Sequence, residues 1–327
     1  MLYLSADDIR RVTDMRDMIE AVKQAFAMAE EKEIETPLRT VIPGQENGSF
    51  LFMPAYSERL GTAAVKYIGV FPGNAGRGLP TSYAQILLID GATGAVQALM
   101  DGAFVTKLRT GAASGAAFDL LAKKHCRKGA LIGTGGQAAT QLEAMLYARP
   151  LEEVSIFGRN AEKCRAFTEK MSEELSRCGV KLTAAASAEE CIDDADLIIT
   201  VTTATEPVFD GRAVKPGATL SCIGTFEPEK HELDPRLLQR ASKVFCDSTE
   251  AVLSESGDLL IPLRDGLISA DKIAGDLGAV INGRLAGRET EDEIIVFESV
   301  GIAAQDLAAA KTIYDKALAA QVGTVLV

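Results

Sequence analysis

Apolar residues recur at three-to-four spacing through residues 7–30, where Ile9, Val12, Met15, Ile19, Val22 and Phe26 stand among Asp, Arg, Glu and Lys. That period predicts an amphipathic helix with one face on a core. From Thr36 to Ala98 the pattern shortens to runs at Ser49–Met53, Ala63–Tyr67, Ser82–Ile89 and Gly94–Ala98, broken by Pro and Gly. These predict mainly antiparallel strands in an α+β domain. Residues 102–124 turn helical again and end in Lys123-Lys124-His125. Beyond them the chain alternates: apolar runs at Ala130–Ile132, Val154–Phe157, Leu197–Thr202, Thr219–Gly224, Val244–Cys246 and Ile294–Phe297 are separated by helix-like stretches. Such alternation predicts an α/β domain with a doubly wound parallel sheet. The last segment, Gly301–Val322, carries Ile302, Leu307, Ala310, Ile313 and Leu318 at helical spacing and is predicted to return to the front domain. The expected organisation is therefore 1–122, 123–300 and a helical tail over 301–327.

The first of those later runs leads into Gly133-Thr134-Gly135-Gly136-Gln137-Ala138, and an Ala-rich helical segment, Ala138–Ala148, leaves it. This is a G-x-G-x-x-A turn between strand and helix. Gly133 permits the tight turn, Gly135 lets backbone approach a pyrophosphate, and Ala138 allows close helix–strand packing, while the helix start offers free N–H groups to an anion. A dinucleotide is the expected ligand, with Gly136 and Gln137 inside the same turn; a glycine-rich turn before a packed helix is the plain alternative. The second strand ends in Ile156-Phe157-Gly158-Arg159-Asn160, with no acid before Glu162. An NAD-selective site commonly holds the ribose 2′-hydroxyl with Asp or Glu there, whereas a 2′-phosphate calls for a cation. Arg159 and Asn160 thus point to NADP(H) as the preferred cofactor, with NAD(H) possible; the bland account of Arg159 is a surface turn.

The chain has 327 residues and is 47% hydrophobic, enough for about two ordinary domains. Its net charge of −12, without a run of Lys or Arg, argues against nucleic acid or an anionic membrane surface as a partner. The start, Met-Leu-Tyr-Leu-Ser-Ala-Asp-Asp, has neither a basic region nor an apolar one, and no apolar stretch reaches the roughly 18 residues of a membrane span, so a cytoplasmic protein is expected. Six cysteines form no C-x-x-C pair, and His125 and His231 are the only imidazoles. Neither a metal site nor a disulfide framework is expected.

Met53-Pro54, Ala64-Val65-Lys66, Pro72-Gly73-Asn74, Gly78-Leu79-Pro80-Thr81, Leu108-Arg109-Thr110-Gly111-Ala112-Ala113, the Gly133 turn, Glu232-Leu233-Asp234 and Phe297-Glu298-Ser299-Val300-Gly301 follow one another in this order. Taken together they resemble the ornithine cyclodeaminase/mu-crystallin family over nearly the whole chain. The resemblance implies a Rossmann-type nucleotide domain, an α+β substrate and dimerisation domain, a homodimer, and a nicotinamide cofactor at the cleft between domains. It implies a small amino- or imino-acid substrate but leaves the reaction open among ketimine or Δ1-pyrroline-2-carboxylate reductases, alanine-type dehydrogenases and cyclodeaminases. A non-enzymatic NADPH-binding protein of the crystallin kind is the alternative of another class.

Arg39, Lys66 and Arg109 stand at positions matching that family's substrate pocket. An α-imino acid carries a carboxylate beside the carbon to be reduced, so fixed cations must orient it and a proton donor must serve its nitrogen. Arg grips a carboxylate bidentately, and a Lys beside two guanidinium groups is pushed toward proton transfer near neutral pH. By resemblance, Thr110, Thr202, Thr203, Ser299 and Gly301 lie along the cofactor; β-branched packing is the alternative for the three threonines. Phe226 stands where family cyclodeaminases carry Asp two residues before a proline, here Pro228, which places it near the cofactor. A phenyl ring can neither accept a proton nor hold an amine, so reduction of an imine is favoured over deamination. Asp306 reads as a helix-face charge.

Overall fold

A computed structural model describes residues 1–326. The chain begins with β1 (Leu2–Leu4), α1 (Ala6–Val12), α2 (Met15–Glu30), β2 (Thr40–Pro43), β3 (Ser49–Ser57), β4 (Thr62–Val70), β5 (Ser82–Asp90), β6 (Val96–Asp101) and α3 (Gly102–Leu121). It continues with β7 (Lys128–Ile132), α4 (Ala138–Ala148), β8 (Glu153–Phe157), α5 (Ala161–Glu174), β9 (Lys181–Ala184), α6 (Ala188–Ile192), β10 (Leu197–Thr200) and β11 (Thr219–Cys222). Then follow α7 (Pro235–Arg240), β12 (Lys243–Cys246), α8 (Thr249–Glu255), α9 (Gly257–Arg264), β13 (Ile273–Asp276), α10 (Leu277–Ile281), β14 (Ile295–Glu298), α11 (Ala303–Ala320) and β15 (Thr324–Val325). Two compact units result: Met1–Arg109 together with the chain from Gly301 onward, and Thr110–Val300. The division falls inside α3 rather than near residue 122. The reason is polar: Ser114 Oγ donates to Gln141 Oε1 at 2.5 Å and shares a 2.8 Å bond with Ser221 Oγ, while Gln141 Nε2 donates to the Thr110 carbonyl at 3.0 Å. The second half of the helix is thereby tied to the second unit.

In the first unit, the stripe over residues 7–30 forms two helices, not one. Asp14 restarts the helix: its carboxylate accepts from the Asp17 N–H at 3.0 Å, and Asp17 accepts from the Asp14 N–H at 3.2 Å, a reciprocal cap worth about 1 kcal/mol. The sheet runs β15-β1-β6-β5-β4-β3-β2 and is antiparallel except for β1 beside β6. β1, β2 and β15 are too short for a periodic signal. Along β4 the buried positions include Thr62, Ala64 and Lys66, with Lys66 opposite Met53 on β3 and Ile86 on β5. α11 packs on α2, β3 and β4. Its residues Ala303–Ala310 are buried on every side, so they have no solvent face.

The second unit is an all-parallel sheet in the order β13-β12-β14-β11-β10-β7-β8-β9. The chain steps outward from β7 to β8 and β9, then returns to β10 on the other side of β7. Loops leaving β7 and β10 therefore part in opposite directions, which opens a crevice beyond their carboxyl ends. Phe118, Leu131, Leu142, Met145, Ile156 and Ile199 lie in the core beneath it. Among the described residues, no helix is long and apolar enough to cross a membrane.

Candidate functional site

The crevice of the second unit holds a cavity of about 630 Å³. Its lining includes Gly133 and Gly135 after β7, Arg159 and Asn160 after β8, and Thr202 and Thr203 after β10. Gly133 adopts φ +114°, and a Cβ there would strike the Val201 carbonyl, so the turn between β7 and α4 closes only on glycine. Nothing stands within 4 Å of where a Cβ of Gly135 or Gly136 would lie, so backbone there is open to a ligand. Ala138 is fully buried at the start of α4. Thr110 Oγ1 and Gln137 Oε1 are buried without a hydrogen-bond partner. Open glycine backbone, a helix start and spare polar atoms fit the diphosphate and ribose groups of a dinucleotide. Asn160 has a second duty: its Oδ1 accepts from the Lys163 N–H at 2.9 Å and caps α5.

Phe226, Ser299 and Gly301, also expected at the cofactor, are not among the residues that line this cavity. Phe226 is exposed. Ser299 is buried after β14 and donates to Asp247 Oδ2 at 2.7 Å. Gly301, at the start of the returning segment, accepts from Arg39 Nη2 at 2.8 Å.

The three expected cations all belong to the first unit, and an acid binds two of them. Lys66 is fully buried, and its Nζ donates to Asp306 Oδ2 at 2.5 Å. Arg109, 5% exposed, donates from Nε to Asp306 Oδ1 at 3.1 Å and from Nη1 to Gln305 Oε1 at 2.8 Å. Asp306 is thus not a helix-face charge; it is 1% exposed and bridges the two cations. It stands in the first turn of α11, where the helix dipole favours a carboxylate. A signal was present in the sequence: Gln305 and Asp306 sit in the stretch 303–310, where all the other residues are Ala or Leu, and a helical stretch apolar all round is a buried one.

Burial is the main reason that the Lys66 ammonium is pushed down to about 7; the Arg109 charge adds to it, Asp306 opposes it, and Arg39 contributes a little more. Two buried cations face one carboxylate, leaving an excess of positive charge that an anionic ligand would neutralise. Lys66 is held where a proton can be given up near neutral pH. Among the described residues no group of three or more His, Cys, Asp or Glu could hold a metal ion. The described cysteines are all free.

The sequence pattern of the ornithine cyclodeaminase/mu-crystallin family matches residues 1–321. Δ1-Pyrroline-2-carboxylate reductase of Bacillus cereus is 37% identical over 324 residues, covering 99% of this chain and 98% of that protein. The Thermococcus litoralis Δ1-pyrroline-2-carboxylate reductase, solved with NADH and L-proline, superposes with a TM-score of 0.95 at 39% identity, covering all of both chains. An archaeal alanine dehydrogenase, solved as a dimer with bound NAD, gives a TM-score of 0.92 at 31% identity over 100% of this chain and 99% of that one. The class is that of NAD(P)-dependent oxidoreductases with a Rossmann-type nucleotide unit. The chain belongs to the ornithine cyclodeaminase/mu-crystallin family.

Replacing Asp306 tests the cluster itself. Asp306→Asn keeps the shape but leaves Lys66 and Arg109 facing one another without a counter-charge, an expected loss on the order of 3 kcal/mol at pH 6. At pH 9 Lys66 is neutral in parent and variant alike, so the loss should shrink. Urea denaturation at both values measures this; a loss below about 1 kcal/mol at pH 6 contradicts the bridging role.

Proposed function

We propose that the protein reduces a small cyclic imino acid of the Δ1-pyrroline-2-carboxylate type to the corresponding amino acid, with NADPH preferred over NADH. The buried Lys66–Asp306–Arg109 cluster carries this reading, because it joins a lysine poised for proton transfer to a guanidinium suited to a carboxylate. The bound cofactor, in its reduced form, supplies the hydride that the imine carbon receives.

Arg109 orients the substrate carboxylate through Nη2, its Nε and Nη1 already being engaged by Asp306 and Gln305. Arg39, tied to the Gly301 carbonyl, adds a second positive charge. Lys66 keeps the imine nitrogen protonated, and Asp306 holds the ammonium in place and moderates its acidity. Phe226 brings no carboxylate to the loop where family cyclodeaminases carry Asp, which favours a substrate that enters as an imine. The nucleotide is held at the Gly133–Ala138 turn, with Gly136 and Gln137 toward its phosphates. Thr110, Thr202, Thr203, Ser299 and Gly301 serve the rest of it.

Preference for the 2′-phosphate rests on Arg159, which lines the cavity after β8 in a segment without an acid from Phe157 to Asn160. A homodimer is supported by the free edge of the first sheet. β2 is the terminal strand there, and Val41 and Ile42 are half exposed, an apolar edge that a second copy would cover.

A panel of Δ1-pyrroline-2-carboxylate, Δ1-piperideine-2-carboxylate, pyruvate with ammonia, ornithine and lysine, followed by nucleotide absorbance and ammonia release, tests the reaction. Consumption of reduced nucleotide with the cyclic imines and higher kcat/KM with NADPH than NADH are expected. Ammonia release from ornithine without net nucleotide turnover overturns the reductase assignment, and higher kcat/KM with NADH overturns the cofactor preference.

The pH profile tests the proton donor. Reduction needs the Lys66 ammonium, so kcat should fall as pH rises through a midpoint at or somewhat above 7, an anionic substrate raising the value found without it. Lys66→Met should bind NADPH normally, lose on the order of a hundredfold in kcat and lack that limb. If Lys66 only pairs with the carboxylate, the variant will instead show a raised KM with the limb intact.

A further inference from the structure

Glu232 is 1% exposed, and both of its carboxylate oxygens are committed to backbone. Oε1 accepts from the Thr202 N–H at 2.6 Å, and Oε2 accepts from the Gly224 N–H at 2.8 Å. Its own carbonyl accepts from the Val208 N–H at 2.9 Å. Thr202 and Val208 line the nucleotide cavity, and Gly224 lies just beyond β11, the strand beside β10. One side chain therefore ties the segments leaving two neighbouring strands at their carboxyl ends, where an open parallel sheet receives its ligand.

Glu232 is itself held from behind. Asp258, also 1% exposed, uses Oδ1 to accept from the Glu232 N–H and the Leu233 N–H, each at 2.7 Å. Two buried acids in contact are costly: burial first, and then the Asp258 charge, push the Glu232 carboxyl up to about 8. An apolar residue in place of Glu232 would avoid that cost but would leave the Thr202 and Gly224 N–H groups without an acceptor.

We propose that Glu232 is a positioning residue for the dinucleotide, its side chain fixing the Thr202 turn, against which the nucleotide lies, to the Gly224 turn. The inference rests on the cavity being the cofactor site. It assigns a role to the acid of Glu232-Leu233-Asp234 that the reaction chemistry does not use.

Glu232→Gln tests it in the full-length protein. Both oxygens of a carboxyl group can accept in either protonation state, whereas the amide has one accepting oxygen, so its NH2 confronts a backbone N–H and one of the two clamps is lost. The NADPH dissociation constant, read by nucleotide fluorescence, should rise about five- to fiftyfold. The imine KM at saturating NADPH should stay within about twofold, since the cluster of Lys66 and Arg109 is untouched. A folded E232Q that binds NADPH as tightly as the parent, even with a lowered melting temperature, makes Glu232 structural only and overturns the proposal.

Gly224→Ala reaches the same clamp from the other side, because a Cβ there would press on the Glu232 carboxylate and on the Thr202 carbonyl. It is read if E232Q is insoluble: weakened NADPH binding supports the clamp, and parental affinity overturns it. The parent is titrated first with NADPH and NADH. Failure to bind either sinks the cofactor site itself, whereas a parent that binds alongside variants that bind equally well sinks only the role of Glu232.

Discussion

A lysine and an arginine share one aspartate in the interior of the first unit, and much else in this protein follows from that contact. Removing three charges from water is expensive, and their mutual attraction repays it only with good geometry and further hydrogen bonds. Asp306 supplies the geometry by accepting from Lys66 and Arg109 through separate oxygens, and Gln305 takes another of the guanidinium protons. The acid comes from α11, which lies 240 positions beyond Lys66 in the sequence, so the chain must return to its first sheet for the cluster to exist. That return is why the first unit consists of two separate stretches of chain.

Burial and the charge count of the cluster together set its chemistry. Burial first, and then the Arg109 charge, lower the Lys66 ammonium into the range where it exchanges a proton near neutral pH, against the pull of Asp306. One carboxylate compensates two buried cations incompletely, which leaves an excess of positive charge at the cluster. The nucleotide unit works by other means. Its cavity depends on backbone: glycines that leave room, the start of α4, and the turns that follow β7, β8 and β10. Side-chain charge governs the one site, and main-chain geometry the other.

The parallel sheet was legible because each strand is a short apolar run bounded by helical spacing, and the Gly133 turn was legible because its glycines serve steric needs that no other residue meets. Lys66 and Arg109 were singled out by motif order and by flanks of apolar and small residues, Ala63–Ile68 and Leu108–Ala113, whereas Arg39 rested on motif order alone. Asp306 was misjudged: an acid in a helix reads as solvent-facing unless the turns around it, here Ala303–Ala310, are seen to be otherwise almost all Ala and Leu. The break at Asp14 was hidden because α1 and α2 share one three-to-four stripe that runs through the cap. The division inside α3 depends on Ser114 meeting Gln141 and Ser221, contacts that local periodicity does not encode. Glu232 stood within a motif that marked the family, but its value lies in which backbone N–H groups it meets, and only the fold determines that.

The most direct measurement is an NMR titration of the Lys66 ammonium with nitrogen-15 lysine, assigned by comparison with Lys66→Met, in the free protein and with the cyclic amino acid L-proline added as a carboxylate probe. The expected result is a midpoint near 7 in the free protein, moving upward when the carboxylate ligand binds. A midpoint near the ordinary lysine value of about 10.4 that does not respond to the ligand would contradict the account, because Lys66 would then be neither poised to exchange a proton nor in contact with the substrate.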